Sequence, residues 1–342
     1  MKRVVLLFIS AILLVSCEKE IEFKGEQTDP KLVINSVVES GQPIMARISK
    51  SVFFLDNNED TEAPADVVAT LYVNGNRIGE MTQKIDTIWE TKYYWTPEPT
   101  YRLWKVYTHP YCPSVGDEVK ITASANGFDD VEGATGTIPN HTACQIKDIR
   151  LIGSESWPDS DESVDTTNWH YYDTYEVAIE ITDLQPGVTN FYKLAIDESQ
   201  HFFEGYDPYL NYCYAYISDY SDPIFGAVSS TNIDVIDYQI DDPNGTFTDM
   251  LFDGRSYTIK LTVGFSHIIT EDFVPDAYRV AVYVEHITKD YYKYLNTCEQ
   301  GDGDASFFSE PIQTHTNVNG GYGIVAGRSV DTLWVTLPLT EK

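Results

Sequence analysis

The sequence predicts an all-β protein of two β-sandwich-like domains, the first Ig-like, the second carrying one short helix near residues 289–299. Three observations lead there. Twenty-four tyrosines stand against only 4 methionines, and tyrosine suits the half-buried pleated surface of a sheet. From Lys31 onward, short runs of alternating or β-branched apolar residues recur at about ten-residue spacing, with turn residues between them. Only KDYYKYLNTCE has helical spacing, with Tyr291, Tyr294, Leu295 and Cys298 three or four residues apart on one face.

The chain opens with a different signal. Lys2 and Arg3 precede an almost unbroken apolar run from Val4 to Val15, then Ser16 and Cys17. About a dozen residues are too few to span the roughly 30 Å hydrocarbon core of a bilayer as a helix, so this run reads as residues 1–16 of a secretory signal peptide. The tetrad Leu14-Val15-Ser16-Cys17 resembles a bacterial lipobox, whose cysteine thiol takes a diacylglycerol and becomes the first mature residue. That reading is favoured over an ordinary signal peptide with an incidental cysteine, because an acidic polar stretch follows at once. Residues 17–27 then form a lipidated tether, charged and without periodicity. Glu18 is not the aspartate of the enteric inner-membrane retention rule. The run Glu18-Lys19-Glu20 resembles the signal that carries Bacteroidetes lipoproteins to the outer face of the outer membrane.

The first domain is expected over 28–139. LVINSVVE and PIMARISKSVFF are its opening strands, and DVVATLYVNGNRIGEM is the clearest hairpin in the chain, because Asn74-Gly75 tolerates the positive φ angles of a tight turn. Residues 84–111 are aromatic and irregular, with Trp89, Tyr93, Tyr94, Trp95, Tyr101, Trp104 and Tyr107. EVKITASANG and VEGATGTIP close the domain, and Pro139-Asn140 marks the boundary. The second domain, 141–342, begins with QIKDIRLI and an acidic loop over 154–168. YEVAIEIT, NFYKLAID, SYTIKLTV, YRVAVYVEHI, GYGIVAG and DTLWVTLPL are its further strands.

The charge narrows the partners. The chain carries −30, and loss of Lys2 and Arg3 with the leader takes this to −32. Such a body is not expected to bind nucleic acid, nor to lie on an anionic membrane. Four cysteines remain after Cys17: Cys112, Cys144, Cys213 and Cys298. None stands in a zinc-ligand spacing, and in an exported protein an even count permits two disulfides. Three pairings are open; pairing within each domain would join Cys112 to Cys144 and Cys213 to Cys298.

Several stretches taken together resemble one family. They are CEKEI, VATLYVNG, ASANGFDDVEGATGTIP, FYKLAID, FDGRSYTIKL, the YYKYL helix and FFSEPIQTHTNVNGGYGIVAG, spanning nearly the whole mature chain. The chain is similar to the Bacteroidetes outer-membrane lipoproteins catalogued as a domain of unknown function (DUF4249-like). Members are often encoded beside TonB-dependent outer-membrane transporters. The resemblance therefore implies an accessory role in nutrient uptake, capturing ligand or holding the transporter. It supplies no catalytic residues. The alternative is an adhesin or structural surface lipoprotein, with a hydrolase a more distant reading.

The residues themselves point to no enzyme. GxSxG, HExxH and P-loop patterns are missing, and the seven histidines are scattered singly. His267 and His286 fall in strand-like runs that could bring them face to face. No cofactor is expected. Bound calcium is the one alternative. Two loops, Asp56–Asp60 and Asp302–Ser306, alternate oxygen ligands as a calcium-binding EF-hand loop begins. Both lack its sixth-position glycine and twelfth-position glutamate, so an ordinary acidic loop is the favoured reading. The segment GYDPYLNYCYAYISDY is the candidate contact surface. YCYAYI reads as a strand whose alternate rings fill a core, whereas Tyr206, Tyr209 and Tyr212 fall near Asp207-Pro208, where regular structure is disfavoured. Those three are the candidate ligand or partner contacts.

Overall fold

The computed structural model describes residues 29–52, 61–89, 101–158, 169–198, 201–202, 212–226, 244–269, 277–298 and 314–338; for 88–89, 101–103, 201–202, 212, 268–269 and 277 only the backbone is described. It is an all-β protein of two stacked sandwiches. The first half contributes β1 (Leu32–Glu39), β2 (Ile44–Lys50), β3 (Val68–Val73), β4 (Asn76–Glu80), β5 (Thr82–Trp89), β6 (Tyr101–His109), β7 (Glu118–Ser124) and β8 (Val131–Thr137). Alternation in these runs places Leu32, Ile34, Ile44, Ile48, Leu71, Val119 and Ile121 in one core. The β3–β4 turn forms as its sequence demands, with Asn74 at φ 50 and Gly75 at φ 77. Its asparagine also reaches across to Asp117 and to the Glu118 amide.

The second half contributes β9 (Ala143–Pro158), β10 (Trp169–Thr182), β11 (Phe191–Ile196), β12 (His201–Phe202), β13 (Tyr212–Asp219), the single helical turn α1 (Pro223–Gly226), β14 (Thr246–Thr248), β15 (Ser256–Ile269), β16 (Ala277–Ile287), the helix α2 (Lys289–Cys298), β17 (Val318–Asn319) and β18 (Tyr322–Pro338). The expected loop over 154–168 does not begin at Ser154. Residues 154–158 continue β9 in register with 169–173 of β10, because the polar Ser-Glu-Ser run sits on a solvent-facing edge strand where apolar alternation is not required.

One strand organises both sandwiches. The central sheet has the order β14-β11-β16-β18-β1-β2-β6-β5. β18 runs parallel to β1 from Tyr322 to Arg328, then antiparallel to β16 from Arg328 to Pro338. The sheet β17-β8-β7-β3-β4 covers one half of it, and β12-β13-β15-β10-β9 covers the other. The first core is consequently closed by Val318 and Val325 from the far end of the chain. The crossing at Pro139-Asn140 is strapped to the central sheet: the Ser329 hydroxyl donates to the Pro139 carbonyl at 2.6 Å, and His286 Nδ1 donates to the Asn140 carbonyl at 2.9 Å.

Glycine makes the return possible. A Cβ on Gly321 would lie 2.2 Å from the Leu32 carbonyl oxygen, and one on Gly323 2.2 Å from that of Ile34. Asn317 fastens the same return by bonding Ala134 and both polar atoms of the Val325 backbone. Helix α2 packs on the outer face of the central sheet, against Phe191, Ile287, Ile324 and Ala326. Its buried residues are Tyr291, Tyr292 and Asn296, while Tyr294 and Leu295 of the expected face pack half-buried against the same cluster. Asn296 can be inside because its amide donates to the Tyr292 carbonyl and its oxygen accepts from Thr246.

Candidate functional site

Of the three predicted contact residues only the backbone of Tyr212 is described, at one end of the second sandwich. Tyr206 and Tyr209 lie outside the described residues, as do Cys17 and the two acidic loops considered for calcium. Tyr212 opens β13, its backbone in register with Phe202 of β12. The strand beyond it is oriented opposite to expectation. In YCYAYI the small residues Cys213 and Ala215 are buried, at 1% and 0% exposure. The rings of Tyr214 and Tyr216 stand on the other, outward side. The core is already filled by Tyr175, Phe265 and Tyr278, which leaves room only for a thiol and a methyl on the inward face of β13.

The outward rings meet others. Tyr172 on β10 and Tyr216 on β13 flank Gly264 of β15, which is in register with Thr174 and Tyr216. A Cβ on Gly264 would come 2.6 Å from the Tyr172 hydroxyl and 2.9 Å from Tyr216 Cζ. The two rings therefore fold down over the bare backbone, where a side chain would lift them. Tyr216 donates to the Tyr172 hydroxyl at 3.0 Å, and the Tyr214 ring lies 5.8 Å from that of Tyr216 at a 20° tilt. The Tyr172 bond, with burial second, pushes the Tyr216 phenol up to about 12. One strand further out, Trp157 is 47% exposed, and its ring is parallel to that of His170 at 5.8 Å. Glu155, exposed, is in register with Tyr172. The result is a shelf of rings, hydroxyls and one carboxylate.

The same face changes character toward the junction of the sandwiches. There it is a lattice of ion pairs: Arg150 with Glu176 at 2.9 Å and Lys147 with Glu180 at 2.9 Å. Paired charges are how a strand face lives in water, whereas clustered rings are how a surface holds something.

Beneath the shelf the core is unusually polar. Asp173 and His267 are both buried. The His267 ring lies between Tyr171 and Phe265, at 5.1 and 4.8 Å, and neither of its nitrogens has a hydrogen-bond partner among the described residues. Burial lowers its pKa to about 4, against the opposing pull of Asp173. Burial likewise pushes the Cys213 thiol up to about 12. His286 does not face His267. It stacks on Tyr192 at 4.8 Å near the junction, eight residues along β16 from Tyr278, whose ring packs on Phe265 beside His267; that is roughly 27 Å of strand.

The disulfides expected from the even count are not formed. All four thiols are free, with Cys112 exposed, Cys144 and Cys298 half-buried, and Cys213 buried. The inward face of β13 puts Cys213 among apolar side chains, and Cys298 ends helix α2 on the opposite side of the central sheet. Among the described residues, no group of three His, Cys, Asp or Glu side chains could hold a metal ion.

A concavity of about 430 Å³ lies at the junction. Its polar groups already serve one another. His286 bonds Asn140, the Asn190 amide bonds Asp183 and Asp249, and Asp290 bonds His315 at 2.9 Å. That cleft is a joint.

The shelf was partly legible in the sequence, in the tyrosine density around 206–220. Tyr172, Gly264 and Trp157 were not. The WHYYDTY run and the lone glycine in SYTIKLTVGFSHII are the signals that could have found them, since a glycine inside a strand marks a place where another group lies close.

No curated protein matches the chain. The family model described as "Domain of unknown function (DUF4249)" matches residues 18–333. With nearly the whole chain matched, it belongs to the DUF4249 family.

Proposed function

We propose that this protein is a surface lipoprotein, held in the outer membrane through a diacylglycerol on Cys17, that acts as an accessory component of a TonB-dependent nutrient uptake system. Its distal shelf is the part that meets the nutrient or the transporter. The observation that carries this reading is polarity along the molecule. The described chain begins at residue 29 beside the start of β1, and β18 runs away from that end for 17 residues, roughly 55 Å. The shelf lies around the far end, where the Tyr175 hydroxyl donates to the Pro338 carbonyl. A lipid at one pole and clustered rings at the other suit a protein that presents a binding surface away from its membrane. The transporter as partner is what the family resemblance implies.

Pull-down of the lipidated protein from detergent-solubilised outer membrane tests it. A TonB-dependent barrel should be recovered with the wild type. Changing Tyr172 and Tyr216 together to alanine should weaken that association by more than about 1 kcal/mol, with little change in melting temperature. Recovery of the wild-type lipoprotein alone, under conditions that keep transporter complexes intact, counts against the proposal. A large loss of stability with association intact moves the contact surface elsewhere.

A further inference from the structure

The β5–β6 hairpin stands apart from the body it belongs to. The ladder between β2 and β6 covers Ile44–Arg47 with Val106–His109. The ladder between β5 and β6 continues to Trp89 opposite Tyr101. Five rungs of ribbon, roughly 17 Å, thus extend beyond the last β2 partner. Residues 82–87 of β5 are exposed on both faces, and Ile85 is 68% exposed. The root of the ribbon is held stiffly. Arg47 lays its guanidinium on the Trp104 ring, 3.0 Å from the centroid, and Lys105 pairs with Glu62 at 2.7 Å.

Its direction follows from register. Leu32 pairs with Lys50. Carried on at one residue per rung from Arg47 and Val106, that level corresponds to Leu103 on β6. The outer rungs of the ribbon and the start of β1 are therefore at the same end of the sheet. Cys17 is twelve residues before Asp29, a span of at most about 40 Å extended and about 20 Å when relaxed.

Its composition differs from the rest of the chain. In the described ribbon, 82–89 and 101–109, three basic residues (Lys84, Arg102, Lys105) stand against one acidic (Asp86), giving +2 in a chain of −30. Four of those 17 residues are aromatic, Trp89, Tyr101, Trp104 and Tyr107, and two of them belong to the chain's six tryptophans. Charge keeps the acidic body as a whole off a membrane surface. The ribbon does not carry that repulsion, and Trp, Tyr and Lys are the side chains that settle at the level of lipid headgroups.

We infer that the β5–β6 ribbon is a second membrane contact, resting in the bilayer interface beside the lipid anchor and so setting the tilt of the molecule on its membrane. The inference rests on the proposed lipidation of Cys17. Its occupant is a lipid surface, since the tether brings that surface within reach of this end.

The lipidated full-length mature protein in phosphatidylcholine vesicles, with lipids brominated near the carbonyl end of the acyl chain, provides the test. Flotation reports the anchor, and quenching of tryptophan emission reports the ribbon. The wild type should float and lose roughly a third of its emission, the share of Trp89 and Trp104 among the six tryptophans, since interfacial tryptophans are within reach of those bromines. Ile85→Glu should float equally and lose the greater part of that quenching. Flotation without quenching, or quenching unchanged in Ile85→Glu, overturns the ribbon contact and leaves the anchor standing. Failure of the wild type to float overturns the anchor, and the ribbon contact falls with it.

Discussion

Arg328 bonds Glu285 through Nη1 at 2.9 Å and grips Glu39 through Nε at 3.0 Å and Nη2 at 2.8 Å. The position is where β18 leaves β1 and takes up β16, so one guanidinium ties the two sandwiches at their shared strand. The Glu285 side chain is only 6% exposed. Removing the arginine strands a buried carboxylate, which typically costs about 3–5 kcal/mol. Arg328→Ala should lower stability by about that much in chemical denaturation. Arg328→Lys should recover only part of it, because an ammonium cannot fork between two carboxylates as a guanidinium does.

His267 sets an acid limit on the second sandwich. Its folded pKa, about 4, is below the ordinary value of 6.5 because burial disfavours the imidazolium. A depressed pKa gives stability that is complete above pH 6.5 and drains away as pH falls from there toward 4, where the folded state can also take the proton. The loss over that window is about 3 kcal/mol for this group. His267→Phe should remove that part of the acid dependence. It should also cost little at pH 7.5, because two buried nitrogens without partners among the described residues are replaced by carbon. Unfolding midpoints measured at several pH values would separate the two effects.

Two glycines should respond differently to alanine. At Gly264 the new methyl meets the outer ends of the Tyr172 and Tyr216 side chains, which can swing away. Gly264→Ala should keep stability within about 1 kcal/mol while lifting the shelf and reducing recovery of the partner. At Gly321 the methyl meets the Leu32 carbonyl oxygen, which cannot move without breaking the β1–β18 ladder. Gly321→Ala should cost about 3 kcal/mol or prevent closure of the first sandwich.

Thiol chemistry checks the unpaired cysteines. With Cys17 changed to Ser, a thiol-reactive dye should titrate four thiols in denaturant, matching the four free cysteines. In the folded protein Cys112 should react readily. Cys213, buried and with a pKa of about 12, should react only on unfolding. Two thiols or none in denaturant would mean that disulfides do form.

What the sequence determined by itself is local. Asn74-Gly75 specifies its turn because few residues accept positive φ, and the Lys289–Cys298 helix is announced by its own spacing. All-β character follows from alternation and turn residues read within a few positions. The rest waited on partners distant in the chain. YCYAYI alternates identically whichever side faces the core, and only the bulk of Tyr175, Phe265 and Tyr278 decides that Cys213 and Ala215 go in and the tyrosines out. GYGIVAG reads as one more strand of the second half. That it closes the first sandwich depends on Gly321 and Gly323 lying against the carbonyls of Leu32 and Ile34, nearly 290 residues earlier. Periodicity records which residues share a face, but which faces meet is decided by the packing of surfaces far apart in sequence.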